Sequence, residues 1–264
     1  MKQRLITGVI AGAVFLGLLF AGGIYFQALV GFLAVIAVSE LFRMRGLQFR
    51  TIEGILASLA TLALVLPLRS YFPKLASDSQ LMLFTFFIFS LLVGMVFSNG
   101  RYTFENIGFT FLSSFYVGIG FENLLNARQA GMFTVLYAIF VVWATDIGAY
   151  AVGRRIGRNK LIPSVSPNKT IEGSLGGIVC AVLVGLIMFG GFSKYAPSIP
   201  MLKVIIFTII FSIVAQMGDL VESSIKRQYG VKDSGTILPG HGGILDRFDS
   251  MIFVFPVMHL LGLF

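Results

Sequence analysis

Charged residues are scarce in this chain: Asp, Glu, Lys and Arg make up only 12% of its 264 residues, against about 25% in soluble domains. Hydrophobic residues make up 56%, and the mean hydropathy is +0.89. A chain of this composition cannot cover itself with polar side chains. The composition therefore predicts an integral membrane protein and excludes a soluble domain.

Cysteine is almost absent. The single one, Cys180, lies in an apolar run, which excludes a disulfide or a cysteine metal site within one chain. The formal charge of +8 is not carried by a soluble basic domain, so membrane orientation explains it better than a nucleic-acid ligand. We expect no nucleic-acid partner.

Apolar runs of about 20 residues, enough to cross a hydrocarbon core of roughly 30 Å, recur along the chain. Nine fit, so the sequence predicts an all-α, polytopic membrane helix bundle with about nine transmembrane helices. Gly22 and Gly23 part the first two runs, and Pro67 and Arg69 break the third, which leaves counts of eight or ten open. The runs are approximately 5–22, 24–42, 53–72, 81–98, 104–122, 132–153, 171–192, 201–222 and 244–264.

Lys and Arg collect in alternate loops, as the positive-inside rule requires of correct spans. Fifteen fall on one side and five on the other, which accounts for all twenty. This asymmetry predicts an odd number of spans, a cytoplasmic N-terminus and a multi-pass protein of the cell membrane. The larger set is Lys2, Arg4, Arg43, Arg45, Arg50, Arg101, Arg154, Arg155, Arg158, Lys160, Lys169, Lys226, Arg227, Lys232 and Arg247, and the smaller is Arg69, Lys74, Arg128, Lys194 and Lys203.

Acidic residues divide the chain into two regions of one membrane-embedded unit. Residues 1–130 are interpreted as scaffold: Phe-rich helices without an evident ligand, for which we expect self-association into a dimer. Residues 131–264 are interpreted as the catalytic region, because they hold most of the acidic residues of the cytoplasmic side. These are Asp146, Glu172, Asp219, Glu222, Asp233, Asp246 and Asp249.

The end of the eighth run carries four polar residues on one helical stripe. Asp219, Glu222, Ser223 and Lys226 are spaced i, i+3, i+4 and i+7, so they face a common direction on a helix. The stripe can face a ligand. Internal ion pairs at a solvated helix end are the alternative.

A glycine-rich loop follows, KDSGTILPGHGG at 232–243. Its glycines let backbone amides approach a ligand closely, although they also suit a tight reversal between two spans. The loop has neither the spacing of a P-loop nor that of a dinucleotide fold. His241 could hydrogen-bond a phosphate or cap the next helix.

Carboxylates at the start of the last helix indicate a metal site. Asp246 and Asp249 are one turn apart, and Mg²⁺ prefers a few carboxylates together with waters and substrate phosphates. Complementing the helix dipole is the alternative.

Asp146 lies eight residues before Arg154, about 12 Å deeper on a helix, where a carboxylate needs a cation, a proton or a metal. Lys169 could bind phosphate or snorkel to the interface.

The combined pattern resembles the phosphatidate cytidylyltransferase, or CDP-diacylglycerol synthase, family. The resemblance is specific over 27 residues, 223–249, whereas the first half resembles the family only in being hydrophobic. The matching segments are SSIKR at 223–227, Lys232-Asp233, Gly235, Leu238-Pro239, His241-Gly242-Gly243 and DRFD at 246–249, with GDLVES at 218–223, SPNKT at 166–170 and DIGAY at 146–150.

The resemblance implies condensation of CTP with phosphatidic acid, giving CDP-diacylglycerol and pyrophosphate at the cytoplasmic side of the bilayer. A reaction between an anionic lipid and a nucleoside triphosphate needs Mg²⁺ and cations to offset phosphate repulsion. Whether a second cation binds is open, although two-metal sites are common. For metal binding we assign Asp219, Asp246 and Asp249, with Asp146 as a deeper candidate. For phosphate and substrate binding we assign Lys226, Arg227, Lys232, Arg247, Lys169, Ser223, His241, Gly242 and Gly243.

Two alternative functions come from other classes. A CDP-alcohol phosphotransferase would also cluster aspartates in a membrane, but its D-G-x-x-A-R motif is missing, since Ile147 follows Asp146. An ion or solute transporter would use Asp146 in a permeation path and would show internal symmetry. The sequence shows no such symmetry.

The topology can be tested by labelling. A cysteine placed beside Lys232 is expected to react with a membrane-impermeant thiol reagent only from the cytoplasmic side. Reaction from the outside would overturn the assigned orientation.

Overall fold

The structure is a computed structural model that describes residues 2–264, with side chains from Ile6 onward. Met1 and the side chains of Lys2 and Arg4, two of the basic residues assigned to the cytoplasmic side, lie outside the described residues. The described chain divides into two compact units, one of residues up to 125 with 233–246 and one of 126–232 with 247–264. The functional division at residue 130 stays a prediction.

Helices dominate both units. The described residues form ten helices and one pair of short strands. In chain order they are α1 (Lys2–Ala21), α2 (Gly23–Met44), α3 (Ile52–Val65), α4 (Leu68–Tyr71), α5 (Ser79–Phe97), α6 (Phe104–Ala130), α7 (Met132–Ile156), β1 (Lys160–Ile162), β2 (Ser166–Thr170), α8 (Ile171–Gly191), α9 (Met201–Gln228) and α10 (Leu245–Leu260).

The prediction of an all-α, polytopic membrane protein is confirmed, but the count of nine spans is not. In the described part of the chain, five helices are long and apolar enough to cross a membrane: α2, α5, α7, α8 and α9. Helix α3 has only 14 residues, a rise of about 21 Å, which is short of a hydrocarbon core of roughly 30 Å. The third predicted span is therefore not one continuous helix.

Local sequence explains where these helices begin and end. Gly22 and Gly23 have φ values of 65° and 52°, in the left-handed region that glycine tolerates best, and they separate α1 from α2. Thr51 caps α3 by accepting a hydrogen bond from the Gly54 amide. Helix α3 stops at Val65, since the residue before Pro67 is disfavoured in a helix.

Helices α3, α5 and α6 share the apolar core of the first unit. Ser114 of α6 donates a hydrogen bond of 3.2 Å to the Ala57 carbonyl of α3. On the opposite face of α5, Phe86, Phe89 and Phe97 are 61%, 61% and 77% exposed, as expected for side chains that face lipid. The buried core cluster is Ala60, Leu64, Phe84, Ile88, Leu91, Tyr102 and Ile107.

Glycines bring α7 and α8 into close contact in the second unit. A methyl group added to Gly148 of α7 would lie 2.7 Å from the Cys180 side chain, and one added to Gly177 of α8 would lie 2.7 Å from the Thr145 carbonyl oxygen. Small residues let helix backbones approach within a membrane. Thr145 also donates to Ser212 of α9 at 2.8 Å, so α7 is tied to both neighbours.

The strands β1 and β2 form a short antiparallel hairpin between α7 and α8. Thr170 ends β2 and caps α8, where its hydroxyl oxygen accepts a hydrogen bond of 3.1 Å from the Gly173 amide. Glu172 accepts from the backbone amides of Arg158 and Asn159. The hairpin is thus fixed to the first turn of α8.

The close packing of α7 and α8 gives a stability prediction. Gly177→Ala is expected to destabilise the protein by about 1–3 kcal/mol, because the new methyl group would displace the Thr145 backbone. Gly190→Ala is the matched control on the same helix, since a methyl group there has no neighbour within 4 Å. Thermal unfolding in detergent measures both. Equal midpoints for the two variants would contradict the packing argument.

Candidate active site

The second unit holds three aspartates whose charges interact. Asp146 lies on α7, Asp219 on α9 and Asp249 on α10. The charges of Asp219 and Asp146 both act on Asp249. Helices α9 and α10 pack closely at this level, since a methyl group on Gly218 would lie 2.7 Å from the Asp249 carbonyl oxygen. Carboxylates that repel one another in an apolar unit need a cation, a proton or a metal nearby.

Lys169 provides part of that charge. Lys169 lies on strand β2, and the ammonium group of Lys169 forms an ion pair with Asp219. Ser223, one turn after Asp219 on α9, donates to the second oxygen of the same carboxylate at 3.3 Å. Asp219 is therefore held on two sides, by the hairpin and by its own helix.

A cavity of about 400 Å³ opens between the hairpin and helices α7, α8 and α9. Asp146, Lys169 and Asp219 line it together with Arg154 and Asn168. Asp146 is exposed and lies on the wall of the cavity. The volume is of the size that small-molecule sites use, about 300–1,000 Å³. Both signs of charge line the cavity, which suits a polyanionic ligand with its counter-cation.

The polar stripe predicted at the end of the eighth run lies on α9 as expected. Glu222 is buried, and one of its oxygens accepts a hydrogen bond of 2.6 Å from Lys226, one turn later. The Glu222–Lys226 pair supports the interpretation of the stripe as internal ion pairs. The position of Asp219 on the cavity wall supports its interpretation as a ligand-binding surface. Phosphate binding by Lys226 stays a prediction.

The remaining basic candidates of this unit are exposed. Arg227 donates to the Val165 carbonyl at 3.3 Å, which attaches the end of α9 to the hairpin turn. Arg247 acts electrostatically on Asp146. Lys232 is exposed just before the glycine-rich loop. Their roles toward phosphate stay predictions.

The glycine-rich loop belongs to the first unit, where it forms a tight turn. The Leu238 amide donates to the Gly242 carbonyl at 3.0 Å, and the His241 amide donates to the Leu238 carbonyl at 2.8 Å. Gly240 and Gly242 adopt φ values of 77° and 84°, which explains why glycine occupies these positions. The His241 imidazole lies against Gly8 of α1.

Asp246, in the first turn of α10, orders this loop. Its Oδ2 accepts hydrogen bonds from the Ser234 amide and hydroxyl, both at 2.9 Å, and from the Gly243 amide at 2.8 Å. The bond to an amide three residues earlier is the pattern of a capping box. The Gly243 amide thus donates to Asp246. Metal binding by Asp246 and substrate binding by Gly242 and Gly243 stay predictions.

Sequence reasoning missed Glu40. This residue of α2 is only 3% exposed and accepts hydrogen bonds from Ser234, Ile244 and Leu245. An acidic residue within an otherwise apolar segment was the available signal, because intramembrane ionisable residues are costly and tend to serve function. Because Glu40 lies far from the motif along the chain, no spacing pattern connects the two.

The carboxylates fit a divalent cation only in part. Within the described residues, no three His, Cys, Asp or Glu side chains are arranged to hold one ion. Mg²⁺, however, is commonly bound by one or two carboxylates, with waters and substrate phosphates completing its coordination. Asp219 with Asp146 or Asp249 is a donor set of that kind.

Comparison with known proteins gives a consistent result. A model of the cytidylyltransferase family matches residues 2–264. Relatives named phosphatidate cytidylyltransferase include that of Staphylococcus saprophyticus, 45% identical over 99% of this chain and 98% of its own length. Those of Bacillus subtilis (strain 168) and Staphylococcus aureus (strain COL) are 42% and 41% identical over 99% of this chain, covering 97% and 98% of their own lengths.

The buried pair on α9 gives a stability prediction. Lys226→Met is expected to destabilise the protein by about 3–5 kcal/mol, because it leaves Glu222 buried without this cation. The double variant Glu222→Gln/Lys226→Met should recover most of the loss, and Arg155→Met, at an exposed position, should be neutral. Denaturation in detergent measures all three. Equal losses in the single and double variants would show that the pair is not coupled.

Proposed function

The chain belongs to the cytidylyltransferase family, and from this membership we propose that it condenses CTP with phosphatidate to give CDP-diacylglycerol and pyrophosphate. The observation that carries the proposal at the site is the cavity in the second unit, where Asp146, Asp219 and Lys169 meet. A phosphate-transferring enzyme needs carboxylates for a cation and amines for phosphates in one cavity, and this cavity supplies both.

The chemistry needs little from acid–base groups. The phosphate monoester of phosphatidate is anionic near neutral pH, so one of its oxygens can attack the α-phosphorus of CTP without a strong base. A new P–O bond forms, the bond between the α-phosphorus and the bridging oxygen breaks, and pyrophosphate leaves with that electron pair. The rate then depends on in-line positioning and on neutralising charge.

Lys169 is the residue we place nearest the reacting phosphates. It lines the cavity and pairs with Asp219, so a phosphate that enters would compete with that carboxylate for its ammonium group. Lys226, Arg227, Lys232 and Arg247 would hold the remaining phosphate charge, with Ser223 assisting. An arginine or lysine near each phosphate lowers the mutual repulsion of the two substrates.

Asp219, with Asp146 or Asp249, would hold a magnesium ion. Bound there, the ion would screen the phosphates and the departing pyrophosphate. The protein's own contribution is to hold the carboxylates in place, through the hairpin lysine and Ser223 for Asp219 and through the Ser250 amide, 2.7 Å from Asp249 Oδ1. Metal binding by Asp246 and the binding of a second cation are part of the same hypothesis.

A lipid substrate explains why the reaction is placed within a helical bundle. The apolar helices suit a multi-pass protein of the bilayer, and the excess of Lys and Arg on one side favours the cytoplasm as the side from which CTP enters. We place the protein in the cell membrane with its active site facing the cytoplasm. A homodimer is the expected assembly.

A direct assay tests the reaction. Purified protein incubated with labelled CTP, phosphatidate and Mg²⁺ is expected to transfer label to a lipid product and to release pyrophosphate. Absence of labelled lipid would refute the proposed reaction. Formation of a lipid product only when a CDP-alcohol replaces CTP would favour the phosphotransferase alternative.

The carboxylate assignment is tested in the same assay. Asp219→Asn and Asp249→Asn are expected to lower Mg²⁺-dependent turnover by about 100-fold or more while the protein stays folded, because each removes charge at the reacting centre. Asp78→Asn, which changes an exposed carboxylate before α5, is the control and should keep full activity. Near-normal rates in both site variants would refute the assignment.

A further inference from the structure

Glu40 is a buried carboxylate that the proposed reaction does not use. We propose that Glu40 is a positioning residue: it fixes the loop of residues 233–246, which carries His241, Gly242, Gly243 and Asp246. The inference rests on the proposed function for its catalytic consequence. The hydrogen bonds that support it are independent of that function.

Both oxygens of Glu40 are occupied by this loop. Oε1 accepts from the Ile244 amide at 2.8 Å. Oε2 accepts from the Leu245 amide at 2.9 Å and from the Ser234 hydroxyl at 3.0 Å. One side chain of α2 thus binds both ends of the loop, at Ser234 and at the start of α10.

The loop is shaped around this side chain. A methyl group added to Gly235 would lie 2.5 Å from Glu40 Oε1 and 2.8 Å from its carboxyl carbon. Real Cβ contacts are almost never this short, so glycine is required for the loop to close over Glu40. The carboxylate is therefore enclosed by the loop and does not merely lie beside it.

Among the described side chains no cation pairs with Glu40, and backbone dipoles compensate its charge. The ion pairs of Lys169 with Asp219 and of Lys226 with Glu222 do not involve Glu40. The Ile244 and Leu245 amides lie at the N-terminus of α10, the end of a helix that favours negative charge. Glu40 acts as a cap for α10 that comes from a distant part of the chain.

Ser234 links Glu40 to Asp246. Its oxygen lies 3.0 Å from Glu40 Oε2 and 2.9 Å from Asp246 Oδ2. A hydroxyl has one proton, so it can donate fully to only one carboxylate at a time. A change at Glu40 therefore alters the hydrogen bonding of Asp246, a residue assigned to the reaction centre.

Glu40→Gln tests the proposal with little change in shape. The amide nitrogen must face either the Ile244 amide or the Leu245 amide, and two donors then oppose each other. Ser39→Ala is the matched control on the same helix, because the Ser39 hydroxyl donates to the Ile36 carbonyl of its own helix and, among the described residues, has no bond to the loop. Ser234→Ala is a second variant that removes one of the three bonds to Glu40 together with the hydroxyl bond to Asp246.

Two measurements on monodisperse protein in detergent give independent readouts. Hydrogen exchange should become faster in peptides of residues 233–246 of the Glu40→Gln variant and stay unchanged in peptides of α7, α8 and α9. The catalytic efficiency kcat/KM for CTP should fall by about 10- to 100-fold, the usual cost of losing a residue that orients a ligand group. Much of the loss should appear as a higher KM for CTP, which a smaller folded fraction would not produce.

The outcomes separate the competing explanations. Unchanged exchange in residues 233–246, or a loss of activity at constant KM in proportion to the folded fraction, would overturn the proposal. If Glu40→Gln yields no folded protein, Ser234→Ala decides by the same two readouts. If wild-type protein does not act on CTP and phosphatidate, the proposed function fails, while the exchange measurement still tests the role of Glu40.

Discussion

The cost of removing carboxylates from water governs how this chain is built. A buried ionised group is tolerated only when donors or opposite charges replace its lost hydration. Asp219 pairs with Lys169, Glu222 pairs with Lys226, and Glu40 takes three hydrogen bonds from one loop. These pairings place amines, amides and carboxylates in fixed relation, which is also what a site for repelling phosphates requires.

Close helix packing supports the same arrangement in the second unit. The glycines of α7 and α8 let the two backbones approach, and hydroxyl bonds such as Tyr137 with Thr208, at 2.5 Å, join α7 to α9. Because Asp146 and Asp219 lie on α7 and α9, their separation is set by helix packing and not by flexible loops. The hairpin then adds Lys169 from the side.

Local features were predictable from the sequence, and distant ones were not. The stripe of Asp219, Glu222 and Lys226 follows from helical periodicity alone, and the break at Gly22 and Gly23 follows from the backbone freedom of glycine. The strands β1 and β2, of three and five residues, are too short for any periodic signal. The role of Glu40 depends on Ser234, 194 residues away in the chain, and no spacing rule connects them.

The first unit is built from two segments that are far apart in the sequence, and this affects the order in which it is synthesised. Its helices α1 to α5 leave the ribosome early, yet the segment 233–246 that completes it is translated close to the end of the chain. Chains grow from the N-terminus at about 5–20 residues per second. The residues that donate hydrogen bonds to Glu40 are therefore made roughly ten seconds or more after Glu40 itself. A chain that stalls before residue 233 therefore lacks the three hydrogen bonds that the finished fold gives to Glu40.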